Sequence, residues 1–500
     1  MQNRLLKLAA DQVVGAMSHV HSPRLVVGLL FVAVLVVAAF EGRADAAGAA
    51  PDRIEGIVED ENGEPVRGAR VGFGDQIDIT GKDGAFVLED IETEDDERIR
   101  VFAAGYAERS IKVADLPKMD DGDGAARVAL ERQPIKAIYL NPWISTTEAD
   151  VDRLIELVDR TELNAIVVDI KEELVLYETE VDLFRDAGTV NPVLDVQALL
   201  DKFAEHDIYA IARLVVFKDS LVAEQFPNLA VRNSATGGLW RDMNGVAWVN
   251  PTNQDLWEAN SDLAVEATRL GFDEIQYDYV RFATDGDLSV IDYGVENTQE
   301  IREAAIGGFL EMSSDKLWRI GGKLSADVFG YTLLVNDDLG IGQNFVKLAK
   351  YVDYLSPMVY PSHFPEGSID VDGHPNSYPY KTIEISMSRA KEKLPGQLLK
   401  VRPWLQDFTF FDLPPEYGDD EVRAQIDAAE DVGTSGWMLW DPNNVYRDGA
   451  LRADEERSST APEDVSVMLA TFTRSQISAL ARRGRQGPRQ PSATRRPAAY

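Results

Sequence analysis

The chain has 500 residues, 45% of them hydrophobic, enough to bury two or three separate cores. Its formal net charge of −35 sets it against nucleic acid, whose phosphates it would repel, and leaves a neutral or cationic partner as the better fit. With no cysteine, the chain has no disulfide, no thiol nucleophile and no thiolate metal site.

Arg4, Lys7 and Arg24 precede an uninterrupted apolar run from Leu25 to Phe40. Its 16 residues stand between the core of a signal peptide and a full membrane span, and Ala44-Asp45-Ala46 offers a small-x-small cleavage site. Residues 1–50 are therefore expected to be a cleaved signal peptide or an N-terminal apolar helix anchoring the chain through 25–40. The positive flank keeps the N-terminus in the cytoplasm, so the remainder is expected to be extracytoplasmic, either membrane-anchored or secreted.

Residues 53–132 carry short β-type runs at 54–58, 69–73, 84–88, 99–102 and 127–130, separated by turn signals such as Asn62-Gly63 and Asp83-Gly84. This spacing predicts a small all-β sandwich. The pattern Gly56-x-Val58, Asn62-Gly-Glu-Pro-Val66, Gly68-Ala69-x-Val71, Asp83-Gly84-x-Phe86 and Ala104-Gly-Tyr106 resembles the carboxypeptidase regulatory-like family. The resemblance implies a non-catalytic spacer or adhesion module.

From Pro134 the pattern changes to alternating strands and helices, the mark of a parallel sheet. Strands are predicted at 137–143, 165–171, 209–217, 274–282, 324–330, 354–360, 399–406 and 436–441. Amphipathic stretches at 149–161, 193–206, 254–270, 298–318, 345–350, 380–393 and 420–432 separate them. Eight such units predict an α/β fold, a (β/α)8 TIM barrel spanning 134–450. A doubly wound open sheet would share the alternation, but no phosphate-binding glycine fingerprint accompanies it. The long connections 172–191, 218–253, 283–297 and 361–379 all follow strands, which puts them on the rim where barrel sites lie. Beyond 451 come a linker, a short helical stretch at 465–481 and an Arg- and Pro-rich tail, expected to be disordered.

The strand ends converge on one mouth with a mixed set of side chains. They supply Asn141 and Trp143, Asp169, Lys171 and Glu172, Arg213, Phe217 and Lys218, Asp278 and Arg281, Asp327, Tyr360 and His363, Trp404, Gln406 and Asp407, and Trp440 and Asp441. Aromatic faces stack on the C–H surface of sugar rings, while Arg and carboxylates bond hydroxyls, so the expected partner is a carbohydrate polymer. Cleaving a glycosidic bond then needs a pair of carboxyl groups. No cofactor is expected, and no metal: His363 and His374 share one loop without a partner at helical spacing.

Several blocks resemble a bacterial glycoside hydrolase domain family across about residues 134–448. They are Asp169-Ile-Lys171, Ile211–Asp219, Gly271–Phe282, Ser325–Gly330, Ser356–His363 and Arg402–Phe408. The resemblance implies a TIM barrel related to glycosidases; Trp440-Asp441 departs from it where Trp-Asn is expected. Asp278, closing the fourth strand, is similar in position to the nucleophile of α-amylase-like barrels, and Asp327, closing the fifth, to their acid/base. These two are the expected catalytic pair. Asp407 would be the transition-state stabiliser, but it has the opposite parity to Arg402, Trp404 and Gln406. Asp169 is the reserve. Two functions remain open: an exported polysaccharide hydrolase, and a catalytically silent glycan-binding or envelope scaffold protein that keeps the aromatic mouth.

Overall fold

A computed structural model describes residues 53–89, 98–117 and 125–454. The apolar run 25–40, the 465–481 stretch and the C-terminal tail lie outside the described residues. Among those described, no helix is long and apolar enough to cross a membrane. The chain divides into two compact units at Gln133/Pro134.

The first unit contains strands β1 (Arg53–Asp60), β2 (Arg70–Phe73), β3 (Gln76–Ile79), β4 (Ala85–Glu89), β5 (Arg98–Phe102), β6 (Arg109–Lys112) and β7 (Ala126–Leu130). They form two sheets, β4-β1-β7 and β3-β2-β5-β6. Alternate residues such as Ile54, Val58, Phe86, Ile99, Val101 and Val128 face one shared core, the pattern of a sandwich. Strands β3 and β6 lie outside the predicted runs: each is four residues long, Ile77 and Ile79 of β3 stay exposed, and β6 buries Ile111 alone.

The second unit is a closed barrel of eight parallel strands. In chain order they are β8 (Ile135–Leu140), β9 (Ala165–Lys171), β10 (Tyr209–Val215), β12 (Glu274–Asp278), β14 (Leu324–Phe329), β15 (Tyr354–Met358), β16 (Trp404–Gln406) and β17 (Gly436–Trp440). The two-residue strands β11 (Arg232–Asn233) and β13 (Ile291–Asp292) pair within the rim loops. Helices cover the outside. The longest are α1 (Gln254–Leu270), whose first turn is capped by the Asn253 side chain, and α2 (Gln299–Trp318), capped by Thr298. Such caps contribute about 1 kcal/mol each by satisfying otherwise orphaned N–H groups.

Alternation along each strand sorts side chains between helix layer and lumen. On β9, Ile166, Val168 and Ile170 join the outer core, whereas Ala165 and Val167 join the lumen cluster with Ile135, Ala137, Tyr139 and Ile211. On β12, Tyr277 faces outward and stacks on Phe309 of α2 at 4.9 Å, leaving Glu274, Gln276 and Asp278 for the lumen. Closure between last and first strand depends on Gly436, at φ 107°: a Cβ there would collide with the Ile135 carbonyl.

The fourth barrel strand stops at Asp278, four residues short of its expected end. Tyr279 takes up a left-handed backbone at φ 51°, which ends the ladder and swings the following segment into the rim. A non-glycine residue costs about 1 kcal/mol in that region, and such positions cluster at functional sites.

Candidate active site

Arg213, projecting from β10, sits at the centre of the C-terminal end of the lumen. Its Nη1 donates to Asp169 Oδ1 at 2.5 Å and its Nη2 to Asp278 Oδ2 at 2.5 Å. Its Nε lies 3.8 Å from Asp327 Oδ2 and makes no hydrogen bond within the described residues. Three strands thus bring three carboxyl groups to one guanidinium. The register accounts for this: Arg213 lies beside Asp169 on one side and beside Gln276 on the other, two ladder pairs below Asp278 on the same face.

The three acids are held differently. Asp278 also accepts the Tyr279 backbone N–H through Oδ1 at 2.5 Å, so both its oxygens receive donors. Asp169 is fully buried and accepts the phenol O–H of Tyr139 as well as Arg213. Burial pushes its pKa up, against the pull of Arg213 and Tyr139. Asp327 takes the Trp404 indole N–H at 2.8 Å. Burial, then the charge of Asp278, push its pKa well above the usual carboxylate range, and Arg213 offsets this only in part. With one cation for three acids, the upward shift is greatest at Asp327, the acid that lacks a hydrogen bond from Arg213.

Aromatic rings line this chamber. Tyr139 and Trp440 stack at 4.1 Å, Arg213 lies over Trp440 at 5.4 Å, and Trp404 meets Trp440 edge-on at 5.5 Å. Tyr360 is buried beside Asp327, with Phe408 edge-on at 5.6 Å. On the open side lies a cleft of about 510 Å³, lined by Trp143, Glu172, Glu173, Lys218, Val215 and Tyr279 among others. Trp143 is 83% exposed at its lip, and Lys218 sits 4.7 Å above the Tyr279 ring.

The structure therefore brings Asp169, Arg213, Asp278, Asp327, Tyr360, Trp404 and Trp440 together, and places the other expected site residues elsewhere. Lys171 shares its parity with Asp169, but a register shift between Arg213 and Leu214 pairs it with Leu214 and turns it out of the lumen. There it bonds Asp219 at 2.8 Å. Arg281 folds back on Asp285 and lies between the rings of Trp248 and Phe329, each at 4.8 Å. Gln406 is consumed by the Ser362 N–H and the Phe408 carbonyl. Asp407 points away from the chamber, as its parity required, and pairs with Arg447 at 2.5 Å. Asp441 ties the next turn by accepting from Asn443 N at 2.7 Å. His363 stands exposed at the rim, bonded to Ser362 and edge-on to Phe410. Among the described residues, no His, Asp or Glu group is arranged to hold a metal ion.

Tyr139 is the member that strand-tip reading misses, because it lies one residue inside β8. Its alternation with Ala137 on the first strand was the available signal.

Residues 137–446 match the family model described as "putative glycosyl hydrolase domain", and the chain belongs to this family. No curated protein matches. Among solved structures, the chain is similar to a hypothetical protein from Ruminiclostridium thermocellum ATCC 27405, at 36% identity over 38% of this chain and 97% of that one, TM-score 0.35. It is also similar to the glycoside hydrolase domain of PgaB (BpsB) from Bordetella bronchiseptica, at 12% identity over 62% and 94%, TM-score 0.43. A chitinase from Chromobacterium violaceum ATCC 12472 matches at 13% identity over 64% and 96%, TM-score 0.38.

Proposed function

We propose that the barrel hydrolyses O-glycosidic bonds of a polysaccharide or cell-envelope glycan outside the cytoplasm, with Asp278 as the carboxyl group that meets the anomeric carbon and Asp327 as its buried neighbour. The observation that carries this reading is the excess of acid at the C-terminal end of the barrel: Asp169, Asp278 and Asp327 share Arg213 inside a ring of aromatic side chains. Asp278 is the most accessible of the three acids, at 8% against 1% for Asp327 and 0% for Asp169. Its role is to face the positive charge that develops at the anomeric carbon. The rings of Trp440 and Tyr360 offer faces to the sugar.

Export rests on the apolar run 25–40 with its basic flank, which serves as anchor or cleaved signal. The sandwich unit acts as a non-catalytic spacer. The test is reducing-end release from a panel of chitin, chitosan, peptidoglycan and α- and β-glucans. One of these is expected to be cleaved, with Asp278→Asn lowering kcat/KM by at least about 100-fold at an unchanged unfolding midpoint. The sealing of Asp327 favours one rival, a silent glycan-binding protein; binding to the same panel with no cleavage by the wild type would establish it.

A further inference from the structure

The carboxyl that donates a proton in a glycosidase must reach the leaving oxygen, and Asp327 does not reach the cleft. It is 1% exposed, with one oxygen on the Trp404 indole N–H and the other turned to Arg213. A different acid stands on the open side. Glu172, the first residue after β9, lines the cleft together with Val215 and Tyr279. Val215 is the ladder partner of Asp278 and Tyr279 is its chain neighbour, so the cleft adjoins the strand end that carries Asp278, and Glu172 lies within electrostatic reach of that acid.

The backbone of Glu172 is fixed while its side chain is free. Lys171, 0% exposed, spends its ammonium on three acceptors: Asp219 Oδ2 at 2.8 Å, the Val215 carbonyl at 2.8 Å and the Glu172 carbonyl at 2.9 Å. This cation clamps the ends of β9 and β10 together and sets Glu172 at the lip. Among the described residues, no hydrogen bond or ion pair engages the Glu172 carboxyl. It lies within electrostatic reach of Asp169, Arg213 and Asp278, and its pKa is raised, by burial first and then by Asp169.

We propose that Glu172 is the general acid/base of the glycosidic reaction, working across the cleft from Asp278, with Lys171 as its positioning residue. This rests on the hydrolase reading above. The Glu172 proton passes to the glycosidic oxygen as its bond to the anomeric carbon breaks, and the Asp278 carboxylate meets the resulting positive charge. Water then adds to the anomeric carbon, and the proton it loses restores the Glu172 carboxyl. Atoms and charge balance with water as the only co-reactant.

The test uses the full chain, the polysaccharide that the wild type cleaves and the 2,4-dinitrophenyl glycoside of the same sugar, whose leaving group needs no protonation. Glu172→Gln is expected to lose at least about 100-fold in kcat/KM on the polysaccharide and less than about tenfold on the aryl glycoside, with an unchanged unfolding midpoint. The alkaline fall of the wild-type pH profile should disappear in the variant. Equal losses on both substrates, or a loss of less than about twofold on the polysaccharide, would overturn the assignment while leaving Asp278 in place. If Asp278→Asn also retains wild-type cleavage, or the wild type cleaves nothing, the hydrolase reading itself fails and takes this assignment with it.

Discussion

The two ends of the barrel lumen are both polar and buried, yet they are built on opposite principles. At the N-terminal end, Glu274 on β12 pairs with Arg402 below β16, both at 0% side-chain exposure. Tyr209 adds its hydroxyl to the second Glu274 oxygen at 3.2 Å, and Tyr354 lies under the guanidinium at 4.3 Å. One anion meets one cation. Four residues further along the same strand and on the same face, Asp278 shares Arg213 with Asp169 and Asp327, three acids to one cation. The first arrangement is neutral and closes the bottom of the barrel. The second keeps an uncompensated negative charge in a low-dielectric chamber, a cost that folding alone gives no reason to bear. Burial of charge is thus common to both ends of the lumen, and imbalance of charge is what sets the proposed site apart.

This contrast can be broken from either end. The largest expected stability effect is Glu274→Ala, which strands Arg402 in the interior and should cost about 3–5 kcal/mol in chemical denaturation. Next is Arg213→Gln. Removing the shared cation should destabilise by a similar order, about 3–5 kcal/mol, at pH 8, and by less at pH 5, where the acids can neutralise themselves by taking up protons. Glu274→Ala should show no such relief on acidification, and denaturation of both variants at the two pH values checks the difference.

Asp327→Asn sharpens the comparison through its sign. The folded-state pKa of Asp327 is raised, so the folded protein holds a proton that the unfolded chain releases. Its contribution is present at low pH and is lost as pH rises above the ordinary carboxylate value. Asparagine imitates the protonated form. The variant should match the wild type near pH 4 and become progressively more stable than it towards pH 8, as thermal melts across that range will register. The smallest effect is Trp404→Phe, which removes one hydrogen bond to Asp327 and should cost about 1 kcal/mol with the barrel intact.

The barrel was legible because alternation and length carry it. All eight strands stand within a few residues of where apolar runs and turn signals put them, since each is packed between lumen and helices. The end of the fourth strand was not legible: nothing in Asp278-Tyr279-Val280 announces a left-handed tyrosine, which tertiary contacts impose. The aspartates of the site were visible as strand-end acids, but which of them converge depends on register. The shift on β9 removes Lys171 from the lumen although its parity matches that of Asp169. Parity did serve where no bulge intervened, turning Asp407 to Arg447. Tyr139 went unseen because attention to strand tips passes over a long side chain that reaches up from one layer below.

The most direct test of the account compares Asp278→Asn and Glu274→Gln on the same two readouts, glycan hydrolysis per folded molecule and unfolding midpoint. Asp278→Asn is expected to lose hydrolysis by at least about 100-fold and keep its midpoint, while Glu274→Gln lowers the midpoint and leaves the activity of the folded fraction near wild type. Hydrolysis that survives Asp278→Asn, or that vanishes with Glu274→Gln in a fully folded protein, would contradict it.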